Sequence, residues 1–435
     1  RRPRIEGRFT GERMRAFDVV WGAGRADVVV ENRYLEIGSA IVEQDGARIE
    51  ADGRFSLGFP RRDGGEEWNA RIRVSGRPIA DLRHAFGIDE YDLDGRLTGE
   101  FHLFGDYKAP FGCGSMTIEE GTAHGEAFER GTAALRFEGR GIRLDGIEMQ
   151  KGGGTFTGAA FVGWDGTYSF QGDGRRRALE EVALAASTGL PLTGIIAFSA
   201  DGSGTFRDPI ITVEARIDDV FLADEGVGQV TGRLIRRGPL LTLELDAASP
   251  RLAVSGAGRI ALTSTYDSDL TLRFSETSLD PYLRTSLPRL SPFTTAIGTG
   301  TIHVVGELAD WNHLLVEGTF EQLRLRLFDY RLQNAEPIRL VLDDNVVRLQ
   351  RTRLVGQDTE LELSGSADLN RKQVDGEVSG QANLGVLQGF FRDIRSSGRA
   401  ELSARISGAL DAPAFSGSAS VADGRFRHFS LPRSI

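Results

Sequence analysis

Apolar and polar residues alternate with a period of two along most of the chain. In the segment ARIEADGRFSLGF (residues 47–59), the odd positions are apolar or glycine, and the even positions up to Ser56 are polar or charged. Segments 241–247, 323–328 and 359–369 follow the same pattern. Successive side chains of a β-strand point to opposite faces, so the alternation predicts strands with one apolar and one solvated face. One solvated face on every strand is typical of antiparallel sheets, and the pattern therefore predicts an all-β fold.

The apolar positions of these strands are the candidates for a ligand-binding interior. We predict that they share one continuous apolar surface, which is lined by Ile49, Phe55, Leu57, Leu243, Leu245, Leu252, Val254, Leu325, Leu361, Leu363 and Leu402. The intervening Glu360 and Glu362 are predicted to face solvent, because a shift of one residue exchanges the two faces of a strand.

A glycine that stands five residues before a proline recurs along the chain. This glycine is Gly105, Gly204, Gly306 or Gly408, at intervals of 99, 102 and 102 residues, and Trp311 replaces the proline in the third copy. Two further sets of markers keep the same order. They are the glycines Gly53, Gly158, Gly256 and Gly365, and short segments with helix-like spacing that begin at Leu82, Leu179, Leu279 and Leu384. Several markers at a constant spacing indicate a repeat.

The phase of these markers divides the chain into five predicted units. They are residues 1–91, 92–188, 189–291, 292–393 and 394–435, of which the first and last are partial. Each complete unit is expected to contain about eight short strands and to end in a short helix. No Ser/Pro-rich or charged linker, of the kind that usually separates independent domains, lies between the units. This favours one continuous sheet, although alternation by itself is also typical of sandwiches with packed cores.

Charge and composition narrow the possible partners. The 435-residue chain has a net charge of −10 and an isoelectric point near 5.3, which argues against nucleic acid because phosphate backbones require clustered Lys and Arg. The single cysteine, Cys113, excludes an internal disulfide and the usual structural zinc sites. No apolar run reaches the ~18 residues of a membrane-spanning helix. Because the first residue is arginine, we expect any membrane anchor or targeting signal to lie outside this segment.

The sequence lacks residues with the spacing of a catalytic or metal site. The six histidines are scattered, and neither a G-x-S-x-G nor a G-x-x-x-x-G-K-[ST] motif occurs. The segment DLDG (92–95) begins like a calcium loop but lacks the distal acidic ligands. The Arg cluster of the segment RRRALEEVALA (175–185) either contacts lipid headgroups or starts a solvated helix. The sequence therefore predicts a protein without catalysis, metal or cofactor.

The glycine–proline frame on alternating strands resembles the TamB and AsmA-like family of Gram-negative envelope proteins, which includes the translocation and assembly module subunit. The resemblance covers essentially the whole chain. Departures occur at Trp311, and at Ala109 and Ala412, where another copy of the frame has Asp208. The resemblance implies an elongated repeat of antiparallel strands, folded over into an apolar groove for lipid acyl chains. It also implies a periplasmic location, an inner-membrane anchor and an outer-membrane barrel partner.

This resemblance predicts a non-enzymatic conduit for phospholipid or lipopolysaccharide between the inner and outer membranes. Two alternatives remain open. One is an assembly factor that adds strands to outer-membrane or autotransporter proteins through exposed edges, and the other is a structural β-repeat array at a surface. The small residues among the larger apolar ones, such as Gly53 and Gly365, are expected to leave either room in a packed core or space for a ligand, although glycine in a strand also marks bends and bulges. Bound lipid would separate the conduit from both alternatives.

Overall fold

The protein is almost entirely β. A computed structural model describes residues 4–16, 18–86, 89, 92–123, 125–182, 191–222, 225–249, 252–280, 294–327, 329–389 and 394–428. Strands account for 80% of the residues and helices for 5%, and neighbouring strands are antiparallel within a 26-stranded sheet. The predicted all-β, antiparallel fold is thus confirmed. The chain divides into two compact units, Arg1–Asp218 and Asp219–Ile435.

In the first unit, each strand from β1 to β11 pairs with the next strand along the chain. The unit begins with β1 (Arg4–Ala16), β2 (Val19–Glu31), β3 (Tyr34–Gln44), β4 (Ala47–Ser56), β5 (Trp68–Pro78) and helix α1 (Ile79–Phe86). It continues with β6 (Leu93–Asp106), β7 (Ala109–Ala123), β8 (Glu126–Glu138), β9 (Gly141–Lys151), β10 (Gly154–Gly163), β11 (Thr167–Ala178), a 3₁₀ helix (Leu179–Glu181) and β12 (Leu192–Thr205). The boundary between the units falls within β13 (Pro209–Leu222).

The second unit has the same sequential pairing with one broken strand. Its strands are β14 (Glu225–Arg237), β15 (Leu240–Ser249), β16 (Leu252–Ala261), β17 (Asp267–Ser278), β18 (Thr294–Glu307), β19 (Leu314–Leu327), β20 (Tyr330–Asn334), β21 (Ile338–Asp343), β22 (Val346–Gly356), β23 (Thr359–Asp368), β24 (Gln373–Asn383), β25 (Ile394–Ala409) and β26 (Ala412–His428). The short strands β20 and β21 lie end to end between β19 and β22, as two parts of one broken strand. Two 3₁₀ helices, Trp311–His313 and Leu384–Gly389, interrupt the strands. Among the described helices, none has the length and apolar character needed to cross a membrane.

The recurring glycine–proline frame forms the turn that follows β6, β12, β18 and β25. Gly105 pairs with Pro110, and Gly408 pairs with Pro413, at the ends of their hairpins. All four frame glycines have φ between 96° and 127°, a backbone region that glycine enters without the steric cost of a side chain. In the third copy the turn contains the 3₁₀ helix Trp311–His313, and Gly306 pairs with Leu314 instead.

The strand count differs from the prediction. In the described residues, six strands, and not eight, lie between successive frame turns: β7 to β12 in the first interval and β13 to β18 in the second. The strands are longer than expected, with 10 to 15 residues each from β6 to β11, because the alternating runs continue through isolated polar or glycine positions. The predicted helix at Leu82 is α1, whereas those at Leu179 and Leu384 are 3₁₀ helices. The helix predicted from Leu279 lies mostly outside the described residues, and the division into five repeat units stays a prediction.

Candidate ligand-binding face

Apolar and glycine residues form unbroken rows across the strands of the first unit. Every strand from β1 to β12 contributes one residue to the same row through cross-strand pairing. The row consists of Phe9, Ala26, Ala40, Ala51, Ile72, Phe101, Gly114, Leu135, Leu144, Ala160, Phe170 and Gly202. We call the side of each unit's sheet that carries such rows the apolar face, and the opposite side the charged face.

The second unit has a corresponding row. It runs from β14 to β26 through Leu234, Leu243, Gly258, Leu270, Val304, Val316, Leu342, Val347, Ala367, Val374, Gly408 and Pro413. Cross-strand neighbours on one face lie about 4.5–5.5 Å apart, so a row of this kind leaves no polar side chain between successive strands. Each unit therefore carries an apolar surface that continues from strand to strand.

Ten of the eleven residues predicted to line the interior lie on the apolar face of their unit. Ile49 and Phe55 do so in the first unit. In the second unit the same holds for Leu243, Leu245, Leu252, Val254, Leu325, Leu361, Leu363 and Leu402. Leu57 is the exception: β4 ends at Ser56, and Leu57 is 58% exposed. The chain leaves the sheet there, because the Ser56 hydroxyl donates to the carbonyl of Gly58 at 2.6 Å and turns the backbone.

The charged face carries the intervening residues, as predicted for Glu360 and Glu362. Their side chains are 62% and 43% exposed, and Glu360 accepts a hydrogen bond of 2.9 Å from Arg353 on the neighbouring strand. On β17, a hydrogen bond from His303, supported by Arg259, lowers the pKa of Asp269. Exposed pairs of this kind each stabilise a fold only slightly. They keep this face solvated.

The contacts of glycines on the apolar face favour close packing, and not space for a ligand, as the role of these positions. A Cβ atom at Gly53 would lie 2.3 Å from the carbonyl oxygen of Asn69, and one at Gly365 would lie 2.8 Å from that of Asp375. On β11, Gly174 lies between Phe156 and Phe198, whose rings stack with their centroids 6.2 Å apart. These glycines therefore admit a neighbouring strand or an aromatic ring, and any space for a ligand lies elsewhere.

Short helices pack on one part of the apolar face in each unit. In the first unit, Val74, Leu97, Ile118 and Phe128 form a buried cluster with Ile79 of α1. In the second unit, Val386 of the 3₁₀ helix packs against the buried cluster of Leu327, Tyr330 and Leu332. Burial raises the pKa of Tyr330, whose hydroxyl lies 2.7 Å from the Thr359 hydroxyl.

Away from these clusters the apolar face is only partly covered. Leu243, Leu245 and Val254 are half-buried, although apolar residues of β17 occupy the same rows, namely Leu270, Leu272 and Phe274. In a closed sandwich the inward side chains of both sheets interdigitate, and large aliphatic residues there are usually fully buried. The half-buried rows indicate a surface that remains open to a ligand.

Three β-bulges, which were not predicted from the sequence, place polar side chains on the apolar face. Gly76, Arg176 and Glu276 have φ of 63°, 56° and 46°. Each lies in a β-bulge near the end of its strand, shortly before one of the short helices predicted from the sequence. The bulge turns the following residue onto the apolar face. That residue is Arg77, Arg177 or Thr277, at intervals of 100 residues. The constant spacing was visible in the sequence, but nothing marked these positions as facing inward.

Arg77 is sealed inside the first unit. It is 2% exposed, and its guanidinium lies 2.8 Å from the Asp81 carboxylate of α1 and 5.1 Å from the centre of the Trp21 ring. Nη2 also donates to the carbonyl of Val20 at 3.0 Å. Together these contacts join α1 to β2 and β5.

Arg177 borders an open cavity of about 190 Å³. Its Nη2 lies 2.5 Å from Glu126 Oε2, and Lys151 Nζ lies 3.6 Å from the same oxygen. The three side chains are 19–30% exposed. The apolar walls of the cavity are Phe128, Met149, Phe156 and Phe198, and exposed Arg175 also lines it. The arginines 175–177 lie in strand β11, which ends at Ala178, and the 3₁₀ helix Leu179–Glu181 follows it.

Within the described residues, no group of His, Cys, Asp and Glu has the arrangement of a metal site. The one cysteine, Cys113, is exposed. Comparison with known proteins gives no relative: no family model, no curated protein and no solved structure matches the chain. The resemblance to the TamB and AsmA-like family stays a prediction.

Proposed function

We propose that this protein is a non-enzymatic lipid carrier that holds acyl chains against its apolar face. The observation that carries the proposal is the unbroken apolar row in each unit, together with the half-buried state of residues such as Leu243 and Leu245. Exposing an acyl chain of about 16 carbons to water is unfavourable by roughly 13 kcal/mol, at ~0.8 kcal/mol per methylene. A row without polar interruptions offsets this cost at each strand that the chain crosses.

The direction of the rows supports movement across the strands. A row advances by one strand, about 4.8 Å, at each step. Because successive positions offer similar apolar contacts, a chain can move between them without crossing a strongly polar barrier. We place this activity in the periplasm, with phospholipid or lipopolysaccharide as cargo between the inner and outer membranes. The membrane anchor outside this segment and the outer-membrane barrel partner belong to the same proposal and derive from the family resemblance.

Lipid analysis of the protein purified without detergent tests the proposal. We expect mass spectrometry of an organic extract to find phospholipid or lipopolysaccharide in a fixed ratio to the chain. A protein of similar size and charge, expressed and purified in the same way, is the control for carry-over. An extract no richer in lipid than this control would contradict the carrier function.

Photo-crosslinking locates the bound lipid. A photoreactive residue at position 243 lies on the apolar face, whereas one at the adjacent position 244 lies on the charged face and is exposed. We expect lipid adducts at position 243 and few at 244. Equal yields at both positions would show that lipid binds without using the apolar face. Strand addition to client proteins, or a purely structural array, would give no adducts at either position.

A further inference from the structure

We propose that the cavity beside Arg177 binds the phosphate headgroup of an anionic phospholipid, with Lys151 and Arg175 as the groups that recognise the phosphate. This inference rests on the proposed carrier function and assigns one of its binding positions. It combines three observations in the first unit: charged groups on an otherwise apolar face, an open cavity, and an excess of basic side chains around it.

The charged groups lie where a charge is costly unless it has a partner. Bulge residue Arg176 turns Arg177 onto the apolar face, and Lys151 and Glu126 lie on the same face of β9 and β8. Glu126 binds Arg177 at 2.5 Å, and Lys151 donates to the carbonyl of Glu181 at 2.8 Å. These contacts fix the orientation of Arg177 and Lys151 toward the cavity.

The charge balance of the cavity favours an anion. Its charged lining consists of Lys151, Arg175, Arg177 and Glu126, which sum to +2, whereas the whole chain has a net charge of −10. Arg175 is exposed at the rim. Nearby Glu129 is engaged by the backbone N–H of Gly152 at 3.0 Å. Hydrogen bonds from charged donors to phosphate oxygens are among the stronger ones in proteins.

The apolar walls favour a phosphate that carries an acyl chain. Phe128 and Met149 connect the cavity to the buried cluster under α1, and the stacked rings of Phe156 and Phe198 continue along the apolar face. An apolar cavity of about 150 Å³ accommodates benzene, so about 190 Å³ takes the first few methylenes of a chain. The remaining methylenes would continue along the apolar face of the same unit. A headgroup with attached chains therefore matches the cavity better than free phosphate does.

Calorimetric titration with short-chain lipids tests the assignment. The probes are dioctanoylphosphatidylglycerol, dioctanoylglycerol and inorganic phosphate, each below its aggregation limit, with the full chain. We expect Lys151→Gln and Arg175→Gln each to weaken binding of the phosphatidylglycerol about tenfold and to leave dioctanoylglycerol binding unchanged. The matched control is Arg176→Gln, which removes the same charge one residue away, outside the cavity lining, and should change neither affinity.

The outcomes separate the headgroup site from the carrier function. If the wild-type chain binds both lipids and neither Lys151→Gln nor Arg175→Gln alters the preference for phosphate, the headgroup site is wrong and the carrier function stands. If the wild-type chain binds neither lipid, both fail. If inorganic phosphate binds as tightly as the phosphatidylglycerol, the cavity is a phosphate site and the lipid assignment is overturned. Because Arg175 is exposed, Arg175→Gln should unfold at the wild-type temperature, which gives a variant free of folding effects.

Discussion

Arg77 and Arg177 lie at corresponding places in the first unit, yet one is sealed and the other is open. Each follows a bulge residue with positive φ, and each lies on the apolar face beside the helix that follows its strand. The Trp21 ring and Asp81 cover Arg77, which is 2% exposed. Arg177 is 19% exposed and borders the cavity. The bulge determines that a polar group faces inward, and the neighbouring side chains decide whether it closes the sheet or forms a site.

Thr277, 100 residues after Arg177, follows a bulge of the same kind but has an uncharged side chain. Its hydroxyl donates to the carbonyl of Ala253 at 3.2 Å and accepts from the Ala253 N–H at 3.3 Å, and the residue is 3% exposed. A neutral hydroxyl can satisfy this position with backbone groups alone. The positive charge at Arg177, held by Glu126 in a position open to solvent, is therefore a property of that site and not a requirement of the bulge.

The largest effect should come from a charge placed in a sealed part of the apolar face. Leu361 is 9% exposed, so Leu361→Glu buries a carboxylate without a partner and should lower the free energy of unfolding by about 4 kcal/mol. Leu243 is half-buried, and in Leu243→Glu the carboxylate can reach water, so the loss should be about 1 kcal/mol. Urea unfolding of both variants measures the difference. Equal losses would mean that the half-buried rows are as closed as the apolar face around Leu361.

Replacing the buried Arg77 should lower the free energy of unfolding somewhat less than Leu361→Glu does. Arg77→Met leaves the Asp81 side chain, which is about one third exposed, without its ion-pair partner. We expect the free energy of unfolding to fall by about 2–3 kcal/mol, which is less than the 3–5 kcal/mol lost when a fully buried pair is broken. Thermal and urea unfolding measure it. The control is Arg73→Gln on the same strand, which breaks an exposed pair with Glu100 and should change stability by less than about 0.5 kcal/mol. A similar small change for Arg77→Met would show that Arg77 does not hold α1 on the sheet.

A smaller effect is expected where the open cavity borders a glycine. A Cβ at Gly174 would lie 2.2 Å from the Phe198 ring, so Gly174→Ala should displace this ring and lower stability by about 1–2 kcal/mol. At Gly153 no atom lies within 4 Å of the same added Cβ, and Gly153→Ala is the matched control. Chemical denaturation compares the two. If Gly174→Ala is as stable as the control, the ring is mobile and the cavity wall is not fixed.

The smallest expected effect on stability is the pH dependence contributed by Asp269 on the charged face. The hydrogen bond from His303, followed by that from Arg259, lowers the pKa of Asp269 below its ordinary 3.8. A carboxyl group whose pKa is depressed in the folded state stabilises above its unfolded pKa and loses this contribution as the pH falls through the folded value. The wild-type urea midpoint should therefore fall slightly more than that of Asp269→Asn between pH about 4 and pH about 2. Parallel curves for the two proteins would contradict a role for this pair in stability.

The alternation of apolar and polar residues was enough to predict the strands and the two faces of each strand. A strict period of two assigns each side chain to one side of a strand, and this placed Leu243, Leu361 and Leu402 on the apolar side without knowledge of their partners. The frame glycines were equally readable, because a turn with positive φ selects glycine at Gly105 or Gly408. Local geometry explains both successes. The end of β4 before Leu57 was missed, because alternation continues for three residues beyond the strand.

The depth at which each apolar residue is buried, and the places where polar groups interrupt the apolar face, could not be predicted from the alternation and required the three-dimensional structure. Burial depends on which distant segments meet: Trp21 covers Arg77 from 56 residues away in sequence, and Val386 covers the cluster at Leu327. The turn of Arg177 onto the apolar face depends on the φ of Arg176, which the residue type does not reveal, since an arginine rarely adopts positive φ. The charged border of the cavity depends on this bulge, because the bulge brings Arg177 into contact with Glu126, which lies 51 residues earlier in the chain.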